Sequence, residues 1–210
     1  MKISTILIAS LLTAAALSAQ TKKLFNGKDM DGWVFLGRTP GDPGFAVQNG
    51  LLETTTGKGM LWYTKQKIGN ATIKVVYKMS NEKANSGVFI RIPIEPASEN
   101  DGINKGIEVQ IDESGDDFHC TGVLYSMTKA KARPYKPAGE WNTMEIAMKG
   151  PRTTVKLNGV VVTDYDGKSP VPPKKGIYEP DRGPRPDTGY IAIQHHGGAA
   201  SVTFKEISLH

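Results

Sequence analysis

"ATIKVVYKM", residues 71–79, puts Ile73, Val75, Tyr77 and Met79 on one side of an extended chain and Thr72, Lys74 and Lys78 on the other. That period of two is the signature of a strand with one wet face and one buried face. "WNTMEIAMK" repeats it, with Met144, Ile146 and Met148 inward and Thr143, Glu145 and Lys149 outward. "GVFIRI", "TGVLYS", "TTVKL", "VVVTDY" and "GYIAIQHH" read as further strands. Turn signals separate them at 149–152, 157–160 and 165–170, and the pair Asn158-Gly159 suits a tight hairpin because both residues tolerate positive φ. In "SVTFKEISL" the apolar phase slips: Val202 and Phe204 share one parity, Ile207 and Leu209 the other. A bulge near Lys205 and Glu206 reconciles them. No amphipathic helix of ten or more residues is evident. Many short strands at regular spacing predict an all-β sandwich or barrel.

"KGIEVQIDE", residues 105–113, carries the same alternation with a different content. Ile107, Val109 and Ile111 form the oily face. Glu108, Gln110 and Asp112 form the other, and such a row either wets the outside of a sheet or lines a site.

Residues 1–19, "MKISTILIASLLTAAALSA", have a lysine near the start, an apolar run and small residues at the end. They read as a secretory signal peptide, cleaved after Ser18 or Ala19, which implies a secreted or periplasmic protein. No cysteine near that point suggests a lipid anchor, and no later segment is apolar enough to span a membrane. Residues 20–210 suit a single domain with a sizeable core. The formal charge of +5 comes from bases scattered along the chain, and removing the leader takes away one of them, Lys2. Neither a basic stripe nor stacked aromatics argues for nucleic acid. Cys120 is the only cysteine, so no intrachain disulfide forms, and its neighbour His119 points the opposite way on a strand.

Two stretches interrupt the strands. "PIEPASENDGINK", 93–105, reads as a loop, and 168–189 holds six prolines. Long loops whose ends both sit on strands of one domain commonly wall a cleft.

Six segments in order carry a family resemblance: "LFNGKDMDGW" (24–33), "NSGVFIR" (85–91), "GIEVQIDE" (106–113), "TGVLY" (121–125), 140–166, and "GYIAIQHHGGAASVTFKEISL" (189–209). Together they resemble the 3-keto-disaccharide hydrolase family, formerly a domain of unknown function. The resemblance implies a concanavalin A-like jelly-roll of two antiparallel sheets and action on glycosides already oxidised to a ketone at C3. Where many relatives have Gln-Asp-His-Gly, this chain has Gln194-His195-His196-Gly197, and its proline-rich insertion is also a departure.

A ketone at C3 acidifies the C2 hydrogen, so such an enzyme needs a base, a group to meet the enolate oxygen, and an acid for the leaving oxygen. The expected catalytic set is Glu108 as base, Arg91 at the oxyanion and His196 as acid. Gln110, Asp112, Tyr125 and Gln194 are the expected substrate-binding residues. A divalent metal ion is a further expectation, with Glu108, Asp112 and His196 as candidate ligands. Parity sets Arg91 beside Phe89, His196 with Gln194 on a polar side, and His195 with Ile191 and Ile193 as a core or rim histidine. Trp33, Trp62 and Trp141 could stack on sugar rings or simply fill the core. The competing readings are a non-catalytic carbohydrate-binding module, with an open groove of exposed aromatics, and an interaction domain with a flat apolar patch.

Overall fold

A computed structural model describes residues 21–210; the expected signal peptide lies outside the described residues. The elements in chain order are β1 (Lys22–Lys23), β2 (Trp33–Gly37), β3 (Phe45–Gln48), β4 (Leu51–Thr54), β5 (Gly59–Tyr63), β6 (Ala71–Met79), β7 (Asn85–Ile92), α1 (Glu99–Lys105), β8 (Ile107–Asp112), β9 (Asn142–Lys149), β10 (Arg152–Leu157), β11 (Val160–Tyr165), β12 (Tyr190–His195) and β13 (Val202–Leu209). They build two antiparallel sheets. The larger runs β11-β10-β9-β6-β13-β4-β3, with β1 also paired to β13. The smaller runs β2-β5-β12-β7-β8. Of the sandwich or barrel that the alternation predicts, the fold is the sandwich, with the jelly-roll form that the resemblance implies.

The inward faces of the two sheets meet in one core. Ile73, Val75 and Tyr77 of β6 and Met144 and Ile146 of β9 pack there with Val88 and Ile90 of β7, Val109 and Ile111 of β8, and Ile191 and Ile193 of β12. Burial of these side chains out of water is the main driving force. The β10–β11 turn uses Asn158 and Gly159 at φ 50° and 84°, as a two-residue hairpin of this hand requires. Strand β13 shifts register against β6 between Phe204 and Glu206, where the apolar phase slips.

A second, smaller apolar cluster lies on the other face of the small sheet. Met60, Trp62, Phe89, Ile92 and Ala192 are roofed there by Ile103 of α1. The helix belongs to a stretch that reads as a loop, and seven residues with a glycine in the middle give no periodic signal. Gly102 lets it lie close: a Cβ there would press on Met60 Sδ and the Phe89 ring. Its stability comes from that packing more than from propensity.

Residues 121–126, expected as a strand, are mostly turns with an isolated bridge from Leu124 to Val109. They nevertheless follow the outer edge of β8. Gln110 N donates to Val123 O (3.0 Å), and Gly122, Thr121 and Tyr125 donate to Gln110, Asp112 and Glu108 carbonyls at 2.9 Å. Among the described residues, no helix is long and apolar enough to cross a membrane.

Candidate active site

The outer face of the small sheet carries a cleft of about 190 Å³ where three strands, the helix and two loops meet. Strand β8 supplies Glu108 and Gln110, β12 supplies Gln194, and His196 follows β12 at the rim. Asn85, Tyr125, Arg38, Lys58, Glu99 and Tyr178 complete the polar lining. Five of the seven residues expected at the catalytic and binding positions therefore come together: Glu108, Gln110, Tyr125, Gln194 and His196.

Register explains the arrangement. In the β7–β8 ladder Gly87 stands opposite Gln110 and Phe89 opposite Glu108. In the β12–β7 ladder Ile193 stands opposite Val88, so Gln194 comes abreast of Gly87 one step on. Gly87 is thus flanked by two glutamines. Because it has no side chain, the Glu108 carboxyl leans into the space above it; a Cβ on Gly87 would overlap Glu108 Oε1.

The cleft is rich in acceptors without donors. Glu108 Oε1, Gln110 Oε1, Gln194 Oε1, Glu99 Oε1 and Asn85 Oδ1 are all buried with no hydrogen-bond partner among the described residues. Buried polar atoms are nearly always paired, so five orphans around one cavity mark a place for a ligand that brings hydroxyl or N–H groups. Glu108 is only 6% exposed, and burial, with the nearby charge of Glu99, pushes its pKa up to about 8. His196 moves the other way. Partial loss of water around its ring, which stays exposed at the rim, then the charge of Lys58, hold its pKa below the ordinary imidazole value, against a smaller opposing pull from Asp112. Burial and then Glu108 raise the Tyr125 phenol, whose ring lies 4.8 Å from that of His119.

Arg91 is not in the cleft. Between the pairs Tyr190–Ile92 and Ala192–Phe89 the β7 strand holds one extra residue, and Arg91 adopts φ 58°. This bulge moves Arg91 off the Phe89 face and turns it between the sheets. Its guanidinium donates to Gly150 O (2.7 Å), Pro186 O (3.0 Å) and Arg152 O (3.1 Å), with Asp187 3.9 Å away. Simple alternation fails at such a point because nothing in "GVFIRI" announces an unpaired residue.

Asp112 is also diverted. Its carboxylate accepts from Asn85 Nδ2 (3.0 Å) and from the Ser114 N–H and hydroxyl (2.8 and 2.7 Å), closing the turn after β8. The candidate metal set Glu108, Asp112 and His196 is split as a result, and among the described residues no three His, Cys, Asp or Glu side chains gather to hold a metal ion.

His195 is a core histidine. It is 2% exposed, sits against Phe45 at 5.7 Å, accepts at Nδ1 from Gly197 N–H (3.0 Å), and directs Nε2 at Thr55 O (3.2 Å). None of the three tryptophans lines the cleft. Trp33 packs in the main core, Trp62 lies under α1, and the Trp141 ring meets the ammonium groups of Lys78 and Lys205 on the large sheet.

The sequence reading misses Arg38, Lys58, Asn85, Glu99 and Tyr178. Glu99 is buried at the start of α1 and pairs with Arg38. Tyr178 sits on the proline-rich segment with the Arg38 guanidinium 5.7 Å from its ring centre. A buried acid on a short helix has no local pattern to betray it; the long proline-rich loop was the available signal for Tyr178.

Fold and cleft together define a class: a two-sheet antiparallel β-sandwich with an acceptor-rich polar cleft on the outer face of its smaller sheet. Within it, the chain belongs to the 3-keto-alpha-glucoside-1,2-lyase-like domain family, whose model matches residues 20–210. Among solved structures it is similar to a provisionally named glycosyl hydrolase from Parabacteroides distasonis ATCC 8503, at 25% identity and TM-score 0.71, covering 91% of this chain and 99% of that one. A second such protein from the same organism gives 21% identity and TM-score 0.72 over 90% and 92%. The carbohydrate-binding module CBM66 from Bacillus subtilis shares the fold at 14% identity and TM-score 0.55, over 84% and 93%. A comparison with curated protein sequences returned no match.

Proposed function

We propose that this protein is an exported enzyme that cleaves 3-keto-glycosides by taking the proton from C2 and expelling the oxygen on C1, with water addition completing a net hydrolysis. One observation carries the reading: Glu108 and His196, from distant segments, share one cleft with their proton affinities displaced in opposite directions. Groups pushed apart in this way divide into acid and base.

The division inverts the roles expected from residue type. Near neutral pH Glu108 keeps its proton and His196 has lost its own. His196 is then the base that removes the C2 hydrogen, and the developing negative charge spreads to the C3 oxygen, where the ammonium of Lys58 stabilises it. The C1–O bond breaks, a double bond forms between C1 and C2, and Glu108 gives its proton to the departing alcohol. The pair is left as imidazolium and carboxylate. Hydration runs the same groups backwards: Glu108 takes a proton from water as its oxygen adds to C1, and His196 returns a proton to C2. The orphan oxygens of Gln110, Gln194 and Asn85 accept from the sugar hydroxyls and fix the ring.

The test is the pH dependence of kcat/KM on a 3-keto-disaccharide, run also in heavy water. The expected profile rises through the region below about 6.5, as imidazole deprotonates, and falls above the Glu108 value of about 8. The hydrated product carries deuterium at C2. A rate that instead climbs through pH 8 returns the base role to Glu108. Sugar binding without any cleavage favours the carbohydrate-binding module.

A further inference from the structure

We infer that the groove joining the end of β2, the start of α1 and the tip of the proline-rich segment is the leaving-group subsite, and that it takes an apolar or aromatic aglycone. This rests on the reaction proposed above and names the substrate class for it. The groove, of about 410 Å³, is continuous with the cleft because Arg38, Glu99 and Tyr178 line both. Its remaining walls are Leu36, Gly37, Ser98, Asn100 and Ile177.

Ile177 is 74% exposed and Tyr178 55%, side by side on the tip. Single exposed apolar residues are ordinary, but these two form one surface with Leu36 beside a candidate active site. The tip is held in place rather than left loose. Arg182 donates to Pro172 O (2.8 Å) and to Ser126 Oγ (3.1 Å), while Arg185 donates to Gly106 O and Asn104 O (3.1 Å each) at the end of α1. Arg38 covers one face of the Tyr178 ring. Leu36, Ile177 and the Tyr178 ring offer an aryl or alkyl group more surface than Ser98 and Asn100 offer the hydroxyls of a second sugar. The arrangement assigns the acceptor-rich cleft to the keto sugar and the groove to the group that departs.

The experiment compares wild type with Ile177→Ser on two substrates that differ only in aglycone, p-nitrophenyl and methyl 3-keto-α-glucoside. Ile177 lies outside the cleft and is exposed, so the variant folds as wild type does. The expected result is a KM for the aryl substrate raised about tenfold, the scale of losing a few apolar contacts in a pocket, with the methyl substrate and both kcat values unchanged. Equal changes for both substrates, or none, overturn the inference. If wild type cleaves neither substrate, the proposed reaction fails, and calorimetric binding of the same two glycosides decides the subsite separately. Tighter aryl binding by wild type, lost in Ile177→Ser, supports it; equal affinity of wild type for both overturns it.

Discussion

Arg91 and Glu108 lie on neighbouring strands, both almost wholly buried, and their surroundings treat them in opposite ways. Arg91 is 1% exposed and donates to three backbone carbonyls that otherwise have no reason to converge. Glu108 has an oxygen that nothing among the described residues satisfies, in a cleft lined with more oxygens in the same condition. A buried charge whose hydrogen bonds are complete holds a structure together. A buried polar group left waiting for a partner costs stability, and persists where a ligand supplies the partner.

The largest effect expected from this contrast is in Glu108→Gln. Its kcat on a 3-keto-disaccharide should fall about a thousandfold, the scale of removing a general acid. Its stability should move the other way. The folded protein holds the Glu108 proton up to about pH 8, whereas the unfolded chain releases it near 4.3. The stability tied to that proton is full below the unfolded value and is lost as pH rises through the folded one. Glutamine cannot ionise. The variant should therefore match wild type in urea unfolding at pH 4 and exceed it at pH 9. A variant weaker than wild type at pH 9 would place Glu108 with Arg91 as a structural group.

Arg91→Met should do the reverse. It strands the carbonyls of Gly150, Arg152 and Pro186, and unfolding free energy should drop by about 3 kcal/mol. The kcat of the folded fraction should stay at the wild-type value. A lost kcat with stability intact would bring Arg91 back to the chemistry.

Gly87→Ala gives the smallest effect and sharpens the contrast most finely. The added methyl occupies the space of Glu108 Oε1, so kcat/KM should fall about tenfold through displacement of the acid. Stability should change by about 1 kcal/mol. Unaltered kinetics would show that the Glu108 carboxyl is free to sit elsewhere.

Much of the fold is legible from alternation alone. The faces of β6, β8 and β9, the Asn158-Gly159 turn and the phase slip in β13 all follow from period-two reading, because each strand has one face against the core. The site is legible where that reading holds: Glu108 with Gln110, and Gln194 with His196. It fails at Arg91, where one residue at positive φ reverses the count. It fails at Asp112, where a turn claims the carboxylate. Glu99 and Arg38 escape it because their meeting depends on how a short helix docks, which no local pattern encodes.

The backbone of residues 121–125 has a consequence beyond its own hydrogen bonds. A terminal strand with bare amides and carbonyls is an invitation for other molecules to add on and begin an aggregate. Here the strand carrying Glu108 lies last in its sheet, and irregular chain has already claimed the Gln110 amide and the carbonyls of Glu108, Gln110 and Asp112. The chemistry can thus sit at a border of the sandwich without making that border sticky.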